Sequence, residues 1–377
     1  MKFRIERDAL ADAVAWSARS LPARPAAPVL AGLLLDVTDD QLSISGFDYE
    51  VSTHATLEVT GGTSGRALVS GRLLADISKS LPAHPVDVSA DGSRVSITCG
   101  SAKFTLPTMP DEDYPRLPEM PTTAGTVSSS VFARAVAQVA VAAGKDDTLP
   151  MLTGVRMEID GERVTLAATD RYRLAVRELI WTPANAASAD AQVLVPARTL
   201  SDAAKSLTGD SEMTIALSAS GAGEGIIGFA GTGRRTTTRL LDAQFPPYRT
   251  LLPAEFSVTA EVSVAALTEA VKRVALVADR GNPVRLDFTD GGLTLSAGGD
   301  DEGKAEENVE VDYSGDPITT AFNPAFLLEG LGAIEDPVAR LLFTTPTKPA
   351  VIRPAGAAAS AGGSNYTYLI MPVRLPG

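Results

Sequence analysis

Three stretches of the chain can be laid over one another: VLAGLLLDVTDDQLSISGFDYEV (residues 29–51), MLTGVRMEIDGERVTLAATDRYRLAV (residues 151–176) and NPVRLDFTDGGLTLSAG (residues 282–298). Each holds two apolar runs separated by a short polar turn: TDD, DGE or TDGG. Asp and Gly tolerate the left-handed backbone that tight hairpins demand, so each stretch predicts a β-hairpin. A helical pattern precedes each one, in ERDALADAVAWSARSLP, SSSVFARAVAQVAVAAGKD and VSVAALTEAVKRVALVAD. A second helical pattern follows, in VSGRLLADISKSLP, VPARTLSDAAKSLTG and FNPAFLLEGLGAIED. A strand pair closes each copy, ending in KFTLPTMPDEDYPRLP, RLLDAQFPPYRTLLP and YTYLIMPVRLPG. The order helix, hairpin, helix, hairpin therefore occurs three times, at domain-sized spacing. The expected fold class is α+β, in three tandem domains over residues 1–122, 126–253 and 258–377.

Composition narrows the function. The 377 residues are 45% hydrophobic, enough for real cores. No run of about 18 apolar residues occurs, so no membrane-spanning helix is expected. MKFRIERDAL has no apolar stretch of the secretory kind. One cysteine, Cys99, cannot form an internal disulfide, which fits a reducing, cytoplasmic setting. The formal charge of -13 argues against a large basic nucleic-acid surface, but leaves room for a local basic stripe.

The helices supply such a stripe. Residues three, four and seven apart share a helix face. In the first copy, Arg19 opposes Leu10, Val14 and Leu21, and Arg72 with Lys79 opposes Leu73, Ile77 and Leu81. In the second, Arg134, Gln138 and Lys145 oppose Val131, Ala135, Val139 and Ala142, while Arg198 and Lys205 oppose Leu200, Ala203, Ala204 and Leu207. In the third, Arg273 and Arg280 oppose Leu267, Val271 and Val274. Exposed helix faces carry Lys and Arg routinely, so no single helix is informative. Five of six doing so in an acidic chain describes a segregated field facing phosphate at a distance.

Catalytic readings find little support. His54, His84 and Cys99 offer no metal spacing and no triad. GAGEG at Gly221 lies between two strand patterns and reads as a hairpin turn rather than a phosphate loop. DDEGKAEEN lacks the register of a calcium loop and reads as a solvated loop. No metal, cofactor or catalytic residue is expected.

Six segments in order carry a family resemblance: MKFRIERDAL at the start, ARPAAPVLAGLLL (Ala23–Leu35), LTGV at Leu152, ATDRYRLAV at Ala168, FPPYRTLLP at Phe245, and YLIMPVRL near the C-terminus. On the tripled plan, the chain resembles the bacterial DNA sliding clamp, the beta subunit of DNA polymerase III. The resemblance spans essentially the whole chain. It implies a non-catalytic processivity factor: a head-to-tail homodimeric ring that encircles duplex DNA without sequence preference. Helices line the hole, two per domain, packed on antiparallel sheet. By the same resemblance Arg24 reaches toward DNA, and Phe104 and Leu106 meet Leu276 and Val277 of a second copy.

The resemblance also implies a pocket for short peptide motifs of the polymerase alpha subunit, the clamp loader, other polymerases and repair proteins. Leu152, Thr169, Arg171, Tyr172, Arg173 and Leu174 would form one wall. Pro246, Thr250 and Leu251 would come from the connector, and Leu369, Ile370, Met371, Pro372, Val373, Arg374 and Leu375 from the chain end, with Asn323 and Phe326 beside them. Thr169 and Leu174 would touch an apolar anchor and Arg173 would steer a polar end. Arg171 stands where many members have a small residue, and Thr250 where some have arginine. A clamp paralogue with a specialised role such as inhibitor tolerance, and a non-ring interaction scaffold, are the alternatives.

Overall fold

The computed structural model describes residues 1–186, 190–207, 209, 211–218, 225–278, 282–298, 303–356 and 365–374. Seven α-helices lie among them: α1 (Arg7–Ser17), α2 (Gly71–Ser80), α3 (Ser129–Ala140), the four-residue α4 (Pro150–Thr153), α5 (Ala197–Ser206), α6 (Val264–Val274) and α7 (Pro324–Gly332). The repeat is richer than helix, hairpin, helix, hairpin. In every copy one strand precedes the first long helix, five strands separate the two long helices, and three follow. The additional strands escape pattern reading because they are short. Lys2–Ile5 has four residues, and Thr60–Thr63 (TGGT) has no apolar alternation at all.

The hairpins form where the Asp and Gly turns predict them. Asp39 and Asp40 both take positive φ, 49° and 59°, between the paired ends Thr38 and Gln41. That is the two-residue turn whose twist matches its flanking strands. Gly161, at φ 60°, does the same between Asp160 and Arg163.

Contacts divide the chain into two compact units, and the boundary runs through the middle copy. Unit 1 is Met1–Ala133, Thr182–Ser188 and Thr199–Leu240; unit 2 is Arg134–Trp181, Ala189–Arg198 and Leu241–Gly377. Within unit 1, a 14-stranded sheet joins the first copy to part of the second where Arg234–Arg239 pairs antiparallel with Val51–Glu58. Within unit 2, a 9-stranded sheet joins copies two and three where Arg173–Ile180 pairs with Tyr366–Ile370. Helices cover the sheets through apolar stripes. Leu10, Ala13 and Val14 of α1 and Leu74 and Ile77 of α2 sit in the first core. Leu267, Ala270 and Val271 of α6 and Leu327 and Leu331 of α7 are likewise buried in unit 2.

Several sequence expectations need correction. Leu73 is 46% exposed, and its neighbour Leu74 joins Ile77 and Leu81 in the core instead. The helix α3 stops at Ala140. Ala142 and Ala143 donate to carbonyls only three residues back, and the Gly144 N–H leaves for the Leu152 carbonyl at 2.7 Å. Lys145 is therefore on a loop and not on a helix face. Arg19 and Leu276 lie on 3-10 turns beyond α1 and α6. Part of the acidic run DDEGKAEEN is not a loop: Ala305–Val309 is a strand paired with Gly292–Ala297. The GAGEG segment lies largely outside the described residues, but its flanking strands pair antiparallel as a hairpin requires.

His54 stands mid-strand, with Nδ1 2.9 Å from the Ser45 hydroxyl and Nε2 3.3 Å from the Thr56 hydroxyl. Burial, reinforced by the charge of Arg235, lowers its pKa to about 4. The unfolded chain, with an ordinary imidazole near about 6.5, therefore binds a proton first as pH falls. Stability contributed by neutral His54 is intact above that value and is lost progressively down to about pH 4. A histidine NMR titration should place the His54 midpoint near 4, and His54→Gln should flatten the loss of stability between pH 6.5 and 4.

Candidate functional site

The turn in ATDRYRLAV is built around one carboxylate. Asp170 Oδ1 accepts the backbone N–H groups of Tyr172 (3.1 Å) and Arg173 (3.2 Å), closing an Asx turn. The Thr169 hydroxyl donates to the Arg173 carbonyl at 2.7 Å. Arg171, between them, takes φ 79°, a left-handed conformation in which any Cβ is strained. Glycine would fit there without steric strain.

Beyond the turn, successive side chains alternate across the sheet. Arg173 points to the helix side, 3% exposed. Its guanidinium pairs with Asp170 Oδ2 at 2.9 Å and with Glu329 of α7, and lies 4.3 Å above the centre of the Phe326 ring. Tyr172, 54% exposed, stacks on Phe326 at 6.1 Å and an interplanar angle of 27°. Leu174 joins Leu369, Val351, Leu342 and Tyr248 in a separate apolar cluster.

Leu152, Arg171, Tyr172, Arg173 and Phe326 converge on one cavity of about 450 Å³. The chain end runs alongside: the Met371 N–H donates to the Tyr172 carbonyl and the Val373 N–H to the Ala321 carbonyl, both at 2.8 Å. Met371 and Val373 keep 39% and 36% of their surface exposed. Arg374, Thr250 and Leu251 are also exposed, and Pro246 and Pro372 are half-buried. Leu375 lies outside the described residues.

Four assignments change. Arg173 is buried, with two carboxylates on the N–H edge of its guanidinium and the Phe326 ring over its face, so it braces the cavity rather than steering a ligand. Thr169 is buried and bonded to backbone, so it holds the turn rather than a guest. Asn323 caps α7, its Oδ1 accepting from the N–H groups of Ala325 and Phe326. Leu174 and Leu369 belong to the cluster on the sheet's other face and Ile370 is buried, all at most 3% exposed, so none of the three lines the cavity.

The segment Ala143–Asp146 and Leu149 complete the wall and were not anticipated. The premature end of α3 puts them there, and its helical pattern hid it. Tyr248 was also missed. It anchors the connector by burying its ring and donating to Glu158 Oε2 at 3.1 Å, with Arg249 on the same carboxylate.

Unit 1 contains the same turn with different chemistry. Asp48 Oδ1 accepts from Glu50 (3.0 Å) and Val51 (2.7 Å), and Tyr49 takes φ 75°. Where Leu174 faces Leu369 in unit 2, Ser52 faces Thr237, their hydroxyls 2.6 Å apart. The backbone device is repeated, with hydroxyls paired across the first seam and apolar side chains across the second.

Several of the cations expected to face DNA are solvent-exposed, Arg24 on a loop and Arg19 on a 3-10 turn. Arg19, Arg24, Arg72, Lys79, Arg198 and Lys205 are exposed. Arg134 and Arg273 are exposed but paired with Glu335 and Glu307, so their charge is largely cancelled. Gln138 is contradicted. It is 5% exposed, and its Nε2 donates to the Ala333 carbonyl at 2.8 Å, because α7 and its following turn cover that face. Lys145 borders the cavity instead. Arg280 lies outside the described residues. Leu106 is a core residue, 1% exposed, with Phe104 packed partly against the same core. Leu276 is 83% exposed, unusual for a leucine at the end of a packed helix.

Family models for the DNA polymerase III beta subunit match all three copies: the N-terminal domain over residues 1–118, the central domain over 126–247 and the C-terminal domain over 249–374. The chain belongs to the DNA polymerase III beta subunit family. It is 59% identical over 377 residues to the beta sliding clamp of Streptomyces coelicolor, covering 100% of both chains. It is 45% identical over 374 residues to the beta sliding clamp homolog GriR of Streptomyces muensis, covering 99% of each. Its structure is similar to the crystal structure of the Pseudomonas aeruginosa DnaN sliding clamp bound to griselimycin, with a TM-score of 0.90 at 28% identity and 100% of both chains covered. Membership in this family accounts for the threefold repeat. Among the described residues, no helix is long and apolar enough to cross a membrane.

Removing the Arg173 charge would strand the Asp170 carboxylate, only 15% exposed, so Arg173→Met should cost about 2–4 kcal/mol in denaturant unfolding. Relief of left-handed strain should make Arg171→Gly neutral or stabilising by up to about 1 kcal/mol, and a β-branched residue there should destabilise by at least as much.

Proposed function

We propose that this protein is a replication sliding clamp: a homodimeric ring of six similar domains that encircles duplex DNA and tethers the replicative polymerase. The observation that carries the reading is the threefold repeat of one domain plan, with the three family models lying end to end along it. The domains are taken as residues 1–122, 126–253 and 258–377. No catalytic step is assigned to any residue, and the setting is cytoplasmic.

Closure of the ring is supported by surface left over in single chains. Leu276 presents a bare leucine beside Val277. The strand Ala305–Val309 is an edge, pairing only with Gly292–Ala297 among the described residues. The first six residues of Ala102–Met109 pair only with Arg94–Cys99 there. Two such edges can add to each other in head-to-tail copies, with Phe104 and Lys103 on one side and Leu276, Val277 and the acidic Glu306 on the other. Leu106 supports that edge from the core.

The DNA-facing cations are Arg19, Arg24, Arg72, Lys79, Arg198 and Lys205. A lining this sparse suits sliding, because each phosphate neutralised adds salt-dependent grip. Attachment is topological and needs no tight contact. The cavity beside Tyr172, with Leu152, Phe326, Met371, Val373 and the connector at Leu251, takes the apolar anchors of partner peptides. Met371 suits varied ligands because its unbranched side chain adapts.

Leu276→Asp and Val277→Asp should each convert a dimer into a monomer by light scattering; a dimer that survives both removes this interface. Removing residues 371–377 should weaken binding of a clamp-motif peptide at least about tenfold, since a few buried anchors carry such affinities. Unchanged affinity would place the peptide elsewhere.

A further inference from the structure

The far face of the 9-stranded sheet carries a feature that neither the ring nor the peptide cavity uses. Its side chains fall into two rows. One is apolar: Leu174, Leu369, Val351 and Leu342 are neighbours through successive strand pairings, and the connector residues Tyr248 and Leu252 pack on them. The next row is charged. Arg340 and Arg353 stand directly opposite each other on paired strands. Like charges at such positions repel. Arg340 is satisfied, its Nε donating to Glu261 at 2.7 Å. Arg353 is half-buried and donates only to the Thr367 hydroxyl, at 3.2 Å; among the described residues no carboxylate pairs with it. Burial, with the charge of Arg340, lowers its pKa. The remaining charges near it are committed elsewhere: Glu178 to Arg163 and Asn365, and Arg249 to Glu158.

These residues line a groove of about 1090 Å³ whose other wall is Tyr248, Leu252, Phe256 and Leu342. We propose that the groove is a second docking site, which takes an acidic side chain of a partner protein's peptide between Arg353 and Arg340, with an adjacent apolar residue against Tyr248 and Leu342. A carboxylate there would offset the guanidinium repulsion and gain charge-assisted hydrogen bonds. The adjoining apolar wall favours a peptide over a bare anion, and the chain's overall charge of -13 means that such a local cationic groove selects rather than attracts broadly. The site does not depend on ring closure or on the cavity at Tyr172.

The test uses the full chain and two capped tripeptides, N-acetyl-phenylalanyl-glutamyl-leucine amide and its glutamine counterpart, followed by NMR at the arginine Nε–H groups. The glutamate peptide should shift the Arg353 signal and bind at least about tenfold more tightly than the glutamine one, the ratio expected of a charge-assisted contact. Arg353→Gln should erase that ratio, and Arg116→Gln, in unit 1, should leave it intact. Arg353→Gln should also keep or raise the thermal midpoint, because it removes a like-charge pair. Equal binding of the two peptides, a ratio that survives Arg353→Gln, or a lowered midpoint would overturn the proposal. Inorganic phosphate that binds Arg353 more tightly than the glutamate peptide would overturn it in favour of a phosphorylated ligand.

Discussion

The antiparallel pairing of Arg173–Ile180 with Tyr366–Ile370 is the interaction on which the candidate site depends. Five residue pairs, from Arg173 with Ile370 to Arg177 with Tyr366, join the second copy to the third through backbone hydrogen bonds. They carry the end of the chain past the turn at Asp170, so that Met371 can reach the Tyr172 carbonyl. They also set Arg173 against α7. A buried guanidinium is costly unless its charge is met, and here Asp170 and Glu329 meet it from two different elements. The ring of Phe326 covers the cation's face, and Tyr172 covers Phe326. One strand pairing therefore fixes a carboxylate, a cation and two rings in sequence, and the cavity is the space they enclose.

Repetition supplies the scaffold, and divergence supplies the site. The Asx turns at Asp48 and Asp170 are the same backbone device, down to a strained non-glycine residue at the same place. What separates them is the pair of side chains under the turn. Ser52 and Thr237 satisfy each other through a short hydrogen bond, which leaves a polar floor. Leu174 and Leu369 have nothing to satisfy and instead form the start of an apolar cluster.

Charge follows a similar economy. Ten residues on helical patterns, with Arg24 on a loop, are the candidates for a cationic or polar surface, and the structure pairs two of them: Arg134 with Glu335, and Arg273 with Glu307. Gln138 turns inward to a carbonyl. The remaining surface is positive in places but sparse, within a strongly acidic chain. A protein that must hold DNA without gripping it would need such moderation, since affinity for phosphate rises steeply with each neutralising contact.

By itself, the sequence determined the repeat, the hairpins, the helix starts and the family. These are local properties: turn chemistry at Asp39 and Asp40 or at Gly161, and apolar spacing along α1, α5 and α6, are written in neighbouring residues. Tertiary structure decided where each helix ends and which side each borderline residue takes. Nothing local distinguishes Leu73 from Leu74, or marks that Gly144 will give its N–H to Leu152 and stop α3 early. Nor does spacing reveal that Arg173 is a brace while Arg171 is free to face solvent. The role of Arg173 depends on Glu329 and Phe326, more than a hundred positions away, because a charge is buried only where distant partners arrive to meet it.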